Sequence, residues 1–220
     1  MTLPKEKWDG INISIKGLAK FMSSSHVTQR KVLKDFKYPD PEGSAQAMYY
    51  RDARELIRSF HQKNLAPEWL PEKAKLLLSL AAQGSNSTAA RLRHNARAIT
   101  EYQAHFGGEI YELLPEPSLV FVCGIVRVTA YPDLHVRQGG QEKLLKFEFA
   151  SDKPDVKTIR IVAQGMFAAA EATGLGLKPS AVQVIDVPRG ERYEAAKLGS
   201  RLAREIEAAC ATISDIWQRL

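Results

Sequence analysis

Between Tyr131 and Phe149 the chain reads as two strands folded back on a glycine turn, and this hairpin constrains the fold more than any other stretch. Pro132-Asp133 leads into Leu134-His135-Val136, Gly139-Gly140 supplies the reversal, and Lys143 to Phe149 returns. Side chains of a strand point alternately to its two faces. Leu145, Phe147 and Phe149 therefore share one face of the return strand, and Leu144, Lys146 and Glu148 share the other. Tyr131, Asp133 and His135 lie on one face of the outgoing strand, and closure at Gly139-Gly140 sets Asp133 level with Lys146 to Glu148 within a residue or two. The pattern can thus gather Asp133, His135, Lys146 and Glu148 on one patch.

The hairpin sits in a chain whose halves differ. Upstream, apolar residues recur at helical spacing: Ile15, Leu18 and Met22 in a helix from Ile13 to Met22, then a helix around Val27 to Phe36. Tyr38 to Gly43 is a loop of Pro, Asp and Gly. Ser44 leads into a longer helix to about Asn64, with Ala47, Tyr50, Ala53, Leu56, Ile57 and Phe60 as its apolar stripe. Further helices cover about Glu72 to Ala82 and Thr88 to His105. Downstream of Gly107-Gly108, β-branched and aromatic runs predict strands over 119–123 and 125–129, continued by Leu134 to Val136. A helix over Val156–Ala172, a nearly all-apolar strand over Ala181–Val187 and a long helix from about Arg192 to the C-terminus complete the order. The expected organisation is a helical region, residues 1–107, followed by a mixed α/β (α+β) unit, residues 108–220.

With 220 residues and 45% apolar content, the chain can bury a core without covalent staples. Its two cysteines, Cys123 and Cys210, cannot build a four-thiolate iron–sulfur cluster or a zinc ribbon, and a reduced, buried role is expected for them. No apolar run reaches the roughly 20 residues needed to span a bilayer, and the N-terminus has no secretory apolar region, so a cytoplasmic protein is expected with no membrane partner. Net charge is +6 and uneven: residues 1–105 hold 17 Lys and Arg against 10 Asp and Glu, and residues 106–220 hold 14 against 15. Arg51, Arg54 and Arg58 recur at helical spacing, as do Arg93 and Arg97 with Arg91 nearby, so each set can make a basic ridge for phosphates. No Walker A loop, nucleophile elbow or His-Glu-x-x-His motif is present.

Residues 118–220 resemble the PD-(D/E)XK nuclease superfamily, and most its RecB-like branch. Asp133 stands in a literal Pro132-Asp133, Gln164 lies on the helix after the hairpin, and Val184 to Val187 with Gly190 and Tyr193 is similar to the next strand and turn. The slot for acid-x-Lys reads Lys146-Phe147-Glu148, with its charges swapped. Two other alignments remain: one keeps Lys146 and loses the acid; the other keeps Glu148 and needs a lysine from elsewhere, such as Lys153 or Lys157. The resemblance implies a restriction-endonuclease-like mixed sheet flanked by helices and a metal-dependent nuclease used in DNA processing or anti-phage defence. Asp133 and Glu148 would hold Mg²⁺ or Mn²⁺, with His105 upstream as a further ligand. Lys146 would contact the scissile phosphate, and Gln164 the substrate or the active-site helix. The swapped motif equally implies a second class: an inactive pseudo-nuclease, a binding or scaffold subunit among protein partners in a DNA-handling complex. Binding to nucleic acid, expected to be DNA, is common to both.

Overall fold

A computed structural model describes residues 8–39, 49–197 and 199–220. It shows a mixed α+β fold of two mixed sheets flanked by helices. The strands are β1 (Ile11–Ser14), β2 (Glu112–Leu113), β3 (Val120–Cys123), β4 (Val126–Thr129), β5 (Leu134–Gln138), β6 (Gln141–Glu148), β7 (Val182–Asp186) and β8 (Glu191–Glu194). The helices are α1 (Ile15–Met22), α2 (His26–Lys37), α3 (Arg51–Gln62), α4 (Trp69–Ala81), α5 (Asn86–Phe106), α6 (Val156–Ala172) and α7 (Ser200–Gln218). The larger sheet runs β2-β5-β6-β7-β8 and the smaller β1-β4-β3.

The large sheet separates two cores. Leu145, Phe147 and Phe149 of the β6 strand and its exit, together with Ile185, pack against Ile57 of α3, Leu70 and Leu77 of α4, and Ile99 and Tyr102 of α5. The opposite face, with Leu144, Val182 and Val184, packs against α6, α1 and the small sheet. The alternation along β6 thus feeds both cores, and its register is held because a one-residue slip would exchange them. Gly139 and Gly140 turn the hairpin at φ 56° and 78°, a left-handed backbone that residues with a Cβ adopt at a cost.

Helix starts follow local chemistry. Asp155 accepts hydrogen bonds from the backbone N–H groups of Lys157 and Thr158 at 3.3 and 3.0 Å, capping α6. Ser14 caps α1 through the N–H of Gly17 at 3.1 Å. Helix α6 joins β6 to β7, which pair in parallel, with Leu144 beside Val182 and Glu148 beside Asp186. Alongside α6 runs α1 in the opposite sense, Ile15 against Gly165 and Ser23 against Thr158.

Several elements differ from those expected. The helix expected from Ile13 begins at Ile15, because Ile11 and Ile13 alternate with Asn12 and Ser14 and enter β1, parallel to β4. The strand expected to continue through Leu134 is broken at Pro132: β4 belongs to the small sheet and β5 to the large one. The last helix starts at Ser200, not Arg192; Gly190 at φ 65° reverses the chain, and Glu191–Glu194 returns antiparallel to β7. The helix expected from Ser44 starts at Arg51 among the described residues, and Ala47 lies outside them. Helices α3 to α5 cover one face of the large sheet, whereas β1, α1 and α2 build the other layer with α6 and α7. No helix among the described residues is long and apolar enough to cross a membrane.

Candidate functional site

The hairpin register places Leu134 opposite Leu145, which brings Asp133 beside Lys146. The backbone N–H of Asp133 donates to the carbonyl of Leu145 at 2.8 Å. Its carboxylate is engaged on both oxygens. Oδ2 accepts from the N–H of Phe147 at 2.7 Å, and Oδ1 accepts from Lys146 Nζ at 3.1 Å. Arg54 of α3 adds its guanidinium, with Nε 3.0 Å from Oδ1. The Asp133 side chain is 6% exposed and that of Lys146 14%. Burial lowers the Lys146 ammonium below the usual lysine range; Asp133 opposes the shift, while Lys16 and Arg54 add to it.

Glu148 has a different partner. Lys16, in the first turn of α1, donates to Glu148 Oε2 at 2.7 Å and to the carbonyl of Phe147 at 3.3 Å. Tyr50 stacks on Phe149 at 5.1 Å, and Arg97 donates to the carbonyl of Phe149 at 3.4 Å. The Tyr50 phenol is raised above its ordinary range by burial. Asp186, fully buried at the end of β7, receives both oxygens' hydrogen bonds from Arg189, at 3.1 and 3.0 Å. The end of β6 is therefore lined by Asp133, Glu148 and Asp186, each with its own cation.

A Mg²⁺ or Mn²⁺ ion at this place would have to displace the cations these carboxylates hold. Such an ion needs oxygen ligands near about 2.1 Å. Asp133 would have to give up Lys146 and Arg54, and Glu148 would have to give up Lys16. Among the described residues no group of three or more His, Cys, Asp or Glu is placed to hold a metal. The order Lys146-Phe147-Glu148 sets an ammonium beside Asp133 and the carboxylate two residues on, beside Lys16. What the arrangement can do is hold charge, since Lys16 and Glu148 remain half-exposed.

Arg54 is the expected basic residue that reaches Asp133, whereas Gln164, His105 and His135 make no hydrogen bond or ion pair with Asp133, Lys146 or Glu148 among the described residues. Gln164 is in the buried middle of α6. The ring of His105 lies against Gly190 and beside Phe106. His135 is buried between the carbonyl of Pro115 and Glu142, at 2.5 and 2.6 Å. Five of the six arginines expected to form phosphate ridges make ion pairs: Arg51 with Glu55, Arg54 with Asp133, Arg58 with Glu116, Arg91 with Asp52 and Arg97 with Glu101. Arg93 is exposed.

Sequence reasoning missed Lys16 and Asp186. Lys16 lies 132 positions before Glu148, and no local pattern links them. Asp186 carried a usable signal, a lone charge at the end of an apolar strand whose burial demands a partner. No family model matches the chain, and no curated protein or solved structure matches it either.

Proposed function

We propose that this protein binds nucleic acid without cutting it, as a pseudo-nuclease subunit of a DNA-handling or anti-phage assembly. One observation carries the proposal: the Lys146 ammonium sits 3.1 Å from Asp133, where the resemblance calls for a metal ion. The strand order supports it as well. An acid at the foot of β5 lies beside the end of β6, and α6 returns the chain to a parallel β7, as a PD-(D/E)XK sheet would have it. The chain's net charge of +6 suits a polyanionic partner.

Binding to labelled DNA over a salt series, with cleavage assayed in Mg²⁺ and Mn²⁺, tests this. The expected result is affinity that falls steeply with salt and no cleavage. Cleavage abolished by Asp133→Asn would replace the proposal with an active nuclease. One observation favours that second function: Lys16 supplies, from a distant element, a lysine beside Glu148.

A further inference from the structure

The ion pairs of α3 and α5 engage five of the six ridge arginines, and a denser group of cations lies elsewhere. Residues 11–38 hold six Lys and Arg (Lys16, Lys20, Arg30, Lys31, Lys34 and Lys37) against a single acid, Asp35. Lys16 is spent on Glu148. Lys37 donates to the carbonyl of Trp217 at 2.7 Å, and Arg30 gives one N–H to the carbonyl of Arg219 at 3.3 Å. Those carbonyls carry no formal charge, so both cations keep theirs. Lys20, Lys31 and Lys34 are exposed and make no ion pair among the described residues.

The α1 part of this surface adjoins the Lys16–Glu148 pair. Lys20 is one helical turn beyond Lys16. The end of α1 meets the start of α6 through the Ser23 and Thr158 hydroxyls at 3.0 Å, and that first turn exposes Lys157 and Arg160. Asp155, the acid beside them, is occupied in capping α6.

We infer that a nucleic-acid phosphate backbone runs over the α1–α2 hairpin and the first turn of α6, not over the arginines of α3 and α5. This inference rests on the proposed nucleic-acid binding and specifies the face that performs it. Phosphates favour lysines not already paired, because an existing ion pair must first be broken, at up to about 1 kcal/mol for an exposed one. An anionic membrane is the competing partner. A helix that lies on a bilayer needs a broad exposed apolar face. On α2, Val27 is the exposed large apolar residue, while Val32 and Leu33 are buried in the core.

The experiment compares wild type, the triple variant Lys20→Gln/Lys31→Gln/Lys34→Gln and the double variant Arg51→Gln/Arg93→Gln on a random-sequence duplex and its single strand. Loss of three phosphate contacts should lower the slope of log affinity against log salt by about 2 to 3 and weaken binding at least about tenfold. The arginine variant should bind like wild type. The single variant Lys34→Gln, with about one third of the slope change, guards against misfolding of the triple variant. If the arginine variant weakens and the lysine variants do not, the inference is wrong and the proposed function stands. If wild type binds neither nucleic acid, both fall. Lysine-dependent binding to phosphatidylserine vesicles with no binding to nucleic acid overturns both in favour of a membrane surface.

Discussion

Lys146 and Asp133 face each other across the β5–β6 hairpin, their charged groups 3.1 Å apart and both side chains largely removed from water. Neither is free to leave. Lys146 in a buried position costs desolvation that Asp133 offsets, and Asp133 without Lys146 would rely on Arg54 and one backbone N–H. An acid at position 146 would make this pocket a cluster of carboxylates seeking a cation. The lysine makes it a closed ion pair.

The pair should therefore be strongly coupled and asymmetric. Asp133→Asn leaves Lys146 and Arg54 facing one another with no carboxylate, and should cost about 3 kcal/mol of stability in urea unfolding. Lys146→Met removes a buried charge while Asp133 keeps Arg54, and should cost less than about 1.5 kcal/mol. The double variant should lose less than the sum of the two.

His61 should set part of the acid limb of stability. It is buried, bonded to the Tyr102 hydroxyl at 2.7 Å, and its pKa is lowered from 6.5 to about 4, chiefly by burial, with Glu109 opposing. The native state keeps the ring neutral where the unfolded chain protonates it. Its contribution is thus complete above the unfolded value and is lost as pH falls toward the folded one. Between pH 6.5 and 4 the loss amounts to about 3 kcal/mol at 1.36 kcal/mol per unit. His61→Gln should flatten this limb in urea unfolding repeated across that range; an unchanged slope would show that His61 is not its source.

The α1–α2 contact depends on the absence of a side chain at Gly17. A Cβ there would lie 2.3 Å from Phe36 Cζ, inside contact distance. Gly17→Ala gains helix propensity of about 1 kcal/mol, yet overpacking of about 1 to 3 kcal/mol should dominate. Thermal melts should show a Tm lower by on the order of 5 °C. Phe36→Leu should restore part of it.

Cys210 should resist alkylation. It is buried, and its thiol is pushed up to about 12, first by burial and then by the thiol of Cys123 beside it. Near pH 8 only roughly one Cys210 in ten thousand would be thiolate. Iodoacetamide followed by mass spectrometry should label half-buried Cys123 first and reach Cys210 only after unfolding.

What the sequence disclosed depended on the range of the interactions. The hairpin was legible because alternation and the Gly139-Gly140 turn are local signals, and they brought Asp133 to Lys146. The helices α3 to α5 were legible from their apolar spacing. Strand β1 was hidden because Ile15 both extends the alternation of Ile11 and Ile13 and opens the helical spacing of Leu18 and Met22, and pairing of Ile11 with Val126 and of Ile13 with Val128 decides where the strand ends. Arg54 read as a phosphate ligand because its partner Asp133 lies 79 positions further along the chain. Lys16 was out of reach for the same reason. Charge counts revealed the excess, and only the packing showed which of those charges are already spent.

The central claim is that Lys146 takes the place of a metal ion, and a cleavage assay addresses it most directly. Wild type and the charge-restoring variant Lys146→Glu/Glu148→Lys are incubated with DNA in Mg²⁺ and in Mn²⁺, and divalent-ion binding is measured by calorimetry alongside. The account predicts that wild type neither binds the ion at the Asp133 cluster nor cleaves, and that ion affinity emerges only in the variant. Wild-type cleavage that requires both a divalent ion and Asp133 would contradict it.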